Sequence, residues 1–103
     1  MARVTPRPVL AGLDRLGSDL RTWRLLNRNT IAEIADRAHV SPDTVARIES
    51  GHSVSTENLL RVARALGVLE PLISSVDPYA TDVGRLRADE QLPKRVRNRK
   101  RTS

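Results

Sequence analysis

The chain has 103 residues, with one Trp, one Tyr and no Phe, so a single modest core of aliphatic side chains is expected. Such a core suits packed helices better than a sheet, which favours an all-α fold. The absence of Cys excludes disulfides, thiol catalysis and cysteine-bound zinc. Pro6 and Pro8 interrupt the N-terminus before any apolar run long enough for a signal peptide or a membrane helix, so a cytoplasmic protein without a membrane partner is expected.

The formal net charge of +6 is concentrated at the C-terminus. Residues 1–91 contain 12 Arg and 12 acidic residues, so they carry no excess charge. Residues 92–103 contain six basic residues and no acid, and these are Lys94, Arg95, Arg97, Arg99, Lys100 and Arg101. The sequence therefore predicts a neutral folded part followed by a basic arm.

The first predicted helix covers residues 12–28 and follows an N-terminal arm of residues 1–11. Apolar residues recur along it at helical spacing, with charged residues between them. They are Leu13, Leu16, Leu20 and Trp23, and Leu25 and Leu26 extend the stripe. This pattern predicts that the stripe, including Trp23, packs into the core.

Two short helices come next, predicted over residues 31–38 and 42–49. Thr30 and the glutamate three residues later fit a capping box, in which each side chain bonds to the backbone N–H of the other residue. Ser41 can cap the following helix, and Pro42 occupies its first position, where the missing N–H costs nothing.

A fourth helix is predicted to begin after Ser55 or Thr56 and to end at Gly67, and a fifth to cover residues 71–76. The folded domain is thus predicted over residues 12–76. Beyond it the chain is largely polar, so residues 77–103 are predicted to form an extended or disordered C-terminal arm that is basic from residue 92.

Residues 31–49 carry the most informative pattern, because two short helices are joined there by a tight turn. Ala35 is small enough to let these helices cross closely. The inward faces hold Ile34, Ala38, Val40, Val45 and Ile48, and the second helix points Asp43, Thr44 and Arg47 outward. Apolar residues that fix the angle of a helix, with polar residues opposite, suit the reading of base edges in a DNA groove about 12 Å wide.

Several spaced elements of the chain together resemble the Xre/Cro-type, phage-repressor-like helix-turn-helix family. They are T-x-x-x-[IL]-A, V-S-x-x-T-[VI], [RK]-[IL]-E-x-G and L-x-x-[VL]-A-x-[AS]-L-G, and the resemblance covers roughly residues 13–76. It implies a compact four- to five-helix domain with a basic C-terminal arm. It also implies a repressor that binds double-stranded DNA as a homodimer.

The resemblance also implies roles for individual residues. Those expected to face DNA bases are Pro42, Asp43, Thr44 and Arg47, and those expected near phosphates are Thr30, Ser41, His52 and Ser53. Arg47 is the first candidate reader, because a guanidinium can bond guanine O6 and N7 together. Asp43 has three readings: an acceptor for a cytosine amine, a group that orients Arg47, or a first-turn acid favoured by the helix dipole.

An ion pair between Arg24 and Glu49, across the first and third helices, is a further feature that the resemblance implies. Two residues depart from the family pattern. Ile31 stands where the family usually has Gln, whose amide helps to clamp a phosphate. His39 occupies the turn position usually held by Gly, where a left-handed backbone is expected.

Other classes of function are less well supported by these residues. His39 and His52 have no partner at metal-ligand spacing, so neither a metal site nor another cofactor is expected. No strand is predicted that could hold a nucleophile elbow, which makes an enzyme the weakest class. Trp23 and Tyr79 are the only aromatic residues, too few for the stacking platforms of single-strand or RNA binding.

The basic arm has three open readings: a solvated tail, an arm that contacts the DNA backbone or minor groove, and a segment that orders on a protein partner. Residues 81–97 are similar to the C-terminal regions of HipB-like antitoxins. That narrower resemblance implies a toxin of the HipA-like kinase class as partner, and repression of the protein's own operon.

Overall fold

The computed structural model describes residues 4–91, in which six α-helices and one 3₁₀ helix occur without any strand. This agrees with the predicted all-α class. The helices are α1 (Arg7–Leu26), α2 (Ile31–Ala38), α3 (Pro42–Glu49), α4 (Thr56–Leu66), α5 (Leu69–Ser74) and α6 (Asp82–Gln91), with the 3₁₀ helix at Pro78–Ala80. The chain divides between Glu70 and Pro71 into two compact units. None of the helices in residues 4–91 is long and apolar enough to cross a membrane.

Helix α1 begins five residues earlier than predicted, so the expected N-terminal arm is helical from Arg7. Pro6 is the residue before the helix, and Pro8 is its second residue. The first four N–H groups of a helix have no intrahelical partner, so proline is tolerated in the first turn. The helix ends at Leu26. Arg28 has a left-handed conformation with φ 57°, which is incompatible with a right-handed helix, so α1 cannot extend to this residue.

Helices α2 and α3 have the predicted bounds, and both start signals are present. Glu33 N donates to Thr30 Oγ1 at 3.1 Å, while Thr30 N donates to Glu33 Oε1 at 2.8 Å, which completes the capping box. Ser41 Oγ accepts the N–H of Thr44 at 3.1 Å. His39 joins the two helices in a left-handed conformation with φ 58°, the backbone that the family's glycine usually provides.

Helix α4 is capped by Ser55 and ends at Gly67, which has φ 81°. Helix α5 begins two residues before its predicted start, because Pro71 is the third residue of the helix rather than the first. That position still lies in the first turn, where the N–H that proline lacks has no partner in any case. The side chain of Asn27 donates to Leu66 O at 3.3 Å and ties the end of α1 to the end of α4.

The core of the first unit is aliphatic and draws on α1 to α4. Its buried residues are Leu20, Ile34, Ala35, Ala38, Val45, Ile48, Val62 and Leu66, and Val40 packs against them while partly buried. Gly17 lies where α1 crosses α3, and a Cβ atom at this position would collide with the backbone carbonyl of Ile48. The two helices therefore approach each other at backbone contact distance.

The predicted burial of Trp23 is wrong, since its residue surface is 45% exposed. Leu25 and Leu26 are also exposed, at 50% and 67%. The inward face of α1 runs through Leu20 and Arg24, so Arg24 takes the core-facing position that the hydrophobic pattern predicts for Trp23. The three apolar side chains consequently lie beside or outside this face.

The second unit corrects the predicted extended arm over the part of it that the structure describes. Thr81 Oγ1 accepts the N–H of Gly84 at 3.0 Å at the start of α6, and Asp77 Oδ1 accepts the N–H of Tyr79 at 2.9 Å. Arg85 Nη1 donates to Tyr79 O at 2.9 Å and links α6 to the 3₁₀ helix. These caps stabilise the 3₁₀ helix and the start of α6. Gly84 lies close to the Pro78 carbonyl and leaves no room for a Cβ atom. Hydrophobic periodicity does not predict this structure, because it depends on polar and backbone contacts. The basic residues from 94 to 101 lie outside the described residues.

Candidate DNA-binding interface

Helix α3 separates an inward apolar face from an outward polar one. Val45 and Ile48 are 1% and 3% exposed and belong to the core. On the other side Asp43 and Arg47 are exposed, and Thr44 is half-buried. Because the apolar residues fix the rotation of α3 about its own axis, its polar residues form a fixed outward face.

The N-terminal end of this face carries two hydroxyl groups in contact. Ser41 Oγ lies 2.9 Å from Thr44 Oγ1, and either atom can be the donor. The same Ser41 oxygen accepts the Thr44 backbone N–H, so the Ser41 side chain is held by two bonds to one residue. Pro42 is also exposed there, and its fixed φ suits the first position of a helix.

The C-terminal end of the face carries Arg47. Its Nη2 atom lies 3.5 Å from the carbonyl oxygen of Ser53, and the N–H of His52 donates to Arg47 O at 2.9 Å. No ion pair within 4.0 Å joins Asp43 to Arg47 in the described chain, so the carboxylate does not orient the guanidinium in this structure. The readings of Asp43 as a first-turn acid and as an acceptor for a base amine remain.

The residues expected near phosphates occupy helix starts and a loop. Thr30 caps α2 and Ser41 caps α3, while the exposed His52 and Ser53 follow Gly51, which has φ 82° after the end of α3. The structure thus places Ser41 and Ser53 at opposite ends of the outward face of α3.

The carboxylate of Glu33, in the first turn of α2, is a titratable group whose pKa is shifted by its hydrogen bonds. Its pKa is lowered chiefly because the backbone N–H of Thr30 donates to its carboxylate, with smaller contributions from the Thr30 and Asn29 side chains and from the charge of Arg37. The charged form of Glu33 is therefore the one that completes the capping box.

Arg24 and Glu49 form the ion pair that the family resemblance implies. Arg24 Nε donates to Glu49 Oε2 at 2.7 Å and Arg24 Nη2 to Glu49 Oε1 at 3.0 Å, and both side chains are below 10% exposed. The hydrogen bond from Arg24 to Glu49 raises the pKa of Arg24, against the lowering effect of burial. Arg24 Nη1 also donates to Asn29 O at 2.9 Å. One guanidinium thus connects α1, the end of α3 and the turn before α2.

Three structural features of this site were not anticipated from the sequence. Arg21 Nε lies 4.0 Å from Glu49 Oε1, the Asn29 carbonyl accepts from Arg24, and Gly17 permits the close crossing of α1 and α3. A glycine inside an otherwise strong helical pattern is a signal that could have revealed the crossing. Ile31, which replaces the family's Gln, packs against the core and is half-buried.

The fold and the outward face of α3 define a helix-turn-helix protein. A family model described as helix-turn-helix matches residues 20–72, more than half of the chain. The chain belongs to this family, the Xre/Cro-type helix-turn-helix proteins, which are DNA-binding regulators of transcription. No curated protein and no solved structure matches the chain.

Within residues 4–91, no three His, Cys, Asp or Glu side chains converge as a metal site would require.

Proposed function

We propose that the protein is a homodimeric repressor of transcription that reads double-stranded DNA with the outward face of α3. The observation that carries this proposal is the division of α3 between the buried Val45 and Ile48 and the exposed Asp43 and Arg47. Buried apolar residues hold the angle of a recognition helix, and exposed polar ones reach base edges in the major groove.

Arg47 is the proposed reader of guanine, through two bonds to O6 and N7. Such a pair is worth about 1–3 kcal/mol of discrimination against a wrong base, which is roughly fivefold to 150-fold in affinity. Selection of bound sequences from random duplex DNA tests it. We expect Arg47→Ala to abolish a guanine preference at one position of each half-site while other positions keep theirs.

Arg64→Ala is the matched control, because Arg64 is an exposed arginine on α4 rather than on α3. It removes the same charge and should leave every base preference in place. If Arg47→Ala weakens binding to all sequences equally, Arg47 contacts phosphate and does not read a base.

Phosphate contacts are proposed for Thr30, Ser41, His52 and Ser53, at helix starts or in the loop after α3. Backbone N–H groups at helix starts and short hydroxyl side chains are common donors to phosphate oxygens. These contacts position α3 on the duplex without carrying sequence information.

The dimer is proposed to place two copies of α3 in successive major grooves about 34 Å apart on a near-palindromic site. Its contact surface is proposed around α5, where Ile73 and Val76 are 47% and 81% exposed and Leu72 is half-buried. Sedimentation at micromolar concentration should show a dimer that Ile73→Glu dissociates. A monomer that binds a single half-site would contradict this part of the proposal.

An antitoxin is the second candidate function. In this role the protein would hold a kinase-type toxin and repress its own operon. It is favoured by helix α6, whose Val83 and Leu86 are both 62% exposed and lie one turn apart within the stretch similar to HipB-like antitoxins. Co-purification with the product of a neighbouring kinase-like gene would support it, and loss of that complex on Leu86→Glu would locate the contact on α6.

A further inference from the structure

The two hydroxyl groups at the start of α3 are close enough to determine each other's hydrogen bonds. A hydroxyl offers one proton and two lone pairs. Ser41 Oγ uses one lone pair for the Thr44 N–H at 3.1 Å, and it shares one further hydrogen bond with Thr44 Oγ1 at 2.9 Å. The direction of that shared bond is open in the free protein, because either oxygen can donate.

DNA removes this freedom if Ser41 contacts a phosphate, a step that rests on the function proposed above. A phosphate oxygen accepts hydrogen bonds and cannot donate one. Ser41 is exposed and must give its only proton to the phosphate. The shared bond can then form only if Thr44 donates its proton to Ser41, which fills the second lone pair of Ser41.

We propose that Thr44 is a specificity-determining residue that acts on DNA solely as a hydrogen-bond acceptor. Its proton is directed to Ser41, so its oxygen presents only lone pairs to the major groove. The bases that donate there are adenine through N6 and cytosine through N4, whereas guanine O6 and N7 and thymine O4 only accept. Thr44 therefore selects an adenine or a cytosine and rejects guanine and thymine at the position that it contacts.

The first test compares sequences selected from random duplex DNA by the wild type, Thr44→Val and Thr44→Ser. Valine keeps the shape of threonine and removes the hydroxyl, whereas serine keeps the hydroxyl. At one position of each half-site we expect an adenine or cytosine preference of about tenfold, the effect of one hydrogen bond, in the wild type and in Thr44→Ser. Thr44→Val should lose that preference and keep those at all other positions.

The second test changes the partner hydroxyl with Ser41→Ala and Ser41→Asp. Alanine leaves Thr44 free to donate or accept, so guanine and thymine should become tolerated at the same position. The carboxylate that Ser41→Asp introduces only accepts, so it keeps the Thr44 proton and should preserve the preference while weakening binding to all sequences by repelling phosphate. A purely structural role of Ser41 as a cap would not separate these two variants by base preference.

The outcomes separate this inference from the function on which it depends. If the wild type selects a defined site but Thr44→Val leaves every preference unchanged, the acceptor role of Thr44 is wrong and the proposed function stands. The same conclusion follows if the position that Thr44→Val alters favours guanine or thymine. If the wild type selects no sequence at all, the proposed function and the inference fail together.

Discussion

Arg24 has an unusual environment for a charged residue in so small a core. Arg24 is only 8% exposed, but its guanidinium donates three hydrogen bonds, two to the Glu49 carboxylate oxygens and one to the Asn29 carbonyl. A buried ion pair contributes little net stability compared with apolar residues of the same volume, but removing one partner leaves the other charge buried and uncompensated. The pair therefore makes the joint between α1, α3 and the turn before α2 sensitive to a single substitution.

We predict that Glu49→Ala destabilises the folded state by about 3–5 kcal/mol, because Arg24 then keeps its charge without a carboxylate. Thermal denaturation followed by circular dichroism measures the effect as a large fall in melting temperature. The matched control is Glu57→Ala, which breaks an exposed pair with Arg61 and should cost under about 1 kcal/mol. Equal melting temperatures for wild type and Glu49→Ala would contradict a structural role of the pair.

Glu33, in the capping box of α2, makes the stability of the folded state depend on pH. Its pKa is lowered in the folded protein, so the folded state binds fewer protons than the unfolded state over the window between the two values. The resulting stability is complete above the ordinary pKa of a glutamate and is lost as the pH falls through the folded value.

Glu33→Gln isolates this effect, because glutamine can also complete a capping box but does not titrate. We predict that the wild type is more stable than the variant at neutral pH and that the difference shrinks as the pH falls below the ordinary range of a glutamate. Melting temperatures of both proteins across that range measure it. A difference independent of pH would show that the charge of Glu33 is not responsible.

At the scale of elements, the packing of α1 on α3 depends on a missing side chain. Gly17 is buried, and a Cβ atom there would collide with the Ile48 carbonyl, which belongs to the backbone of α3. A flexible side chain could move aside, but a helix backbone moves only together with its neighbours.

We predict that Gly17→Ala destabilises the domain by about 1–3 kcal/mol, although alanine favours helix by about 1 kcal/mol. Gly12→Ala is the control, since Gly12 lies in the same helix with nothing within 4 Å of its Cβ position. That change should stabilise the protein by about 0.5–1 kcal/mol. If both substitutions shift the melting temperature upward, α1 and α3 are not in contact at this crossing.

At the scale of the whole molecule, charge is distributed unevenly between the domain and its tail. Residues 1–91 have no net charge, and the excess of +6 resides in residues 92–103. We propose that these basic residues contact DNA phosphates, because the neutral remainder offers no general attraction to a polyanion and Lys and Arg runs add phosphate affinity.

Deletion of residues 92–103 should weaken DNA binding and make its salt dependence shallower. Each phosphate contact contributes about 0.9 to the slope of log affinity against log salt, so loss of all six would reduce the slope by about five. Fluorescence anisotropy at several salt concentrations measures it. An unchanged slope together with loss of toxin binding would assign the arm to a protein partner.

Local signals in the sequence determined most of the helix-turn-helix. The hydroxyls of Thr30 and Ser41 and the glycine at 67 act on backbone atoms within a few residues, so the bounds of α2 and α3 and the end of α4 could be read directly. The apolar periodicity of residues 34–48 likewise predicted which face of α3 is buried, because residues three or four positions apart lie on the same face of a helix.

Tertiary structure decided the features that depend on residues distant in sequence. Trp23 is exposed because Arg24 turns inward toward a carboxylate 25 residues away, and periodicity counts the arginine as a surface residue. The early start of α1, by contrast, is a local feature, and it differs from the prediction because Pro6 and Pro8 are read as a break although proline is tolerated in the first turn of a helix. The contact of Arg47 with the Ser53 carbonyl depends on how the loop after α3 folds back. The sequence thus determined helices α2 and α3 and the outward polar face of α3, whereas long-range packing and buried charge decided how that face is held.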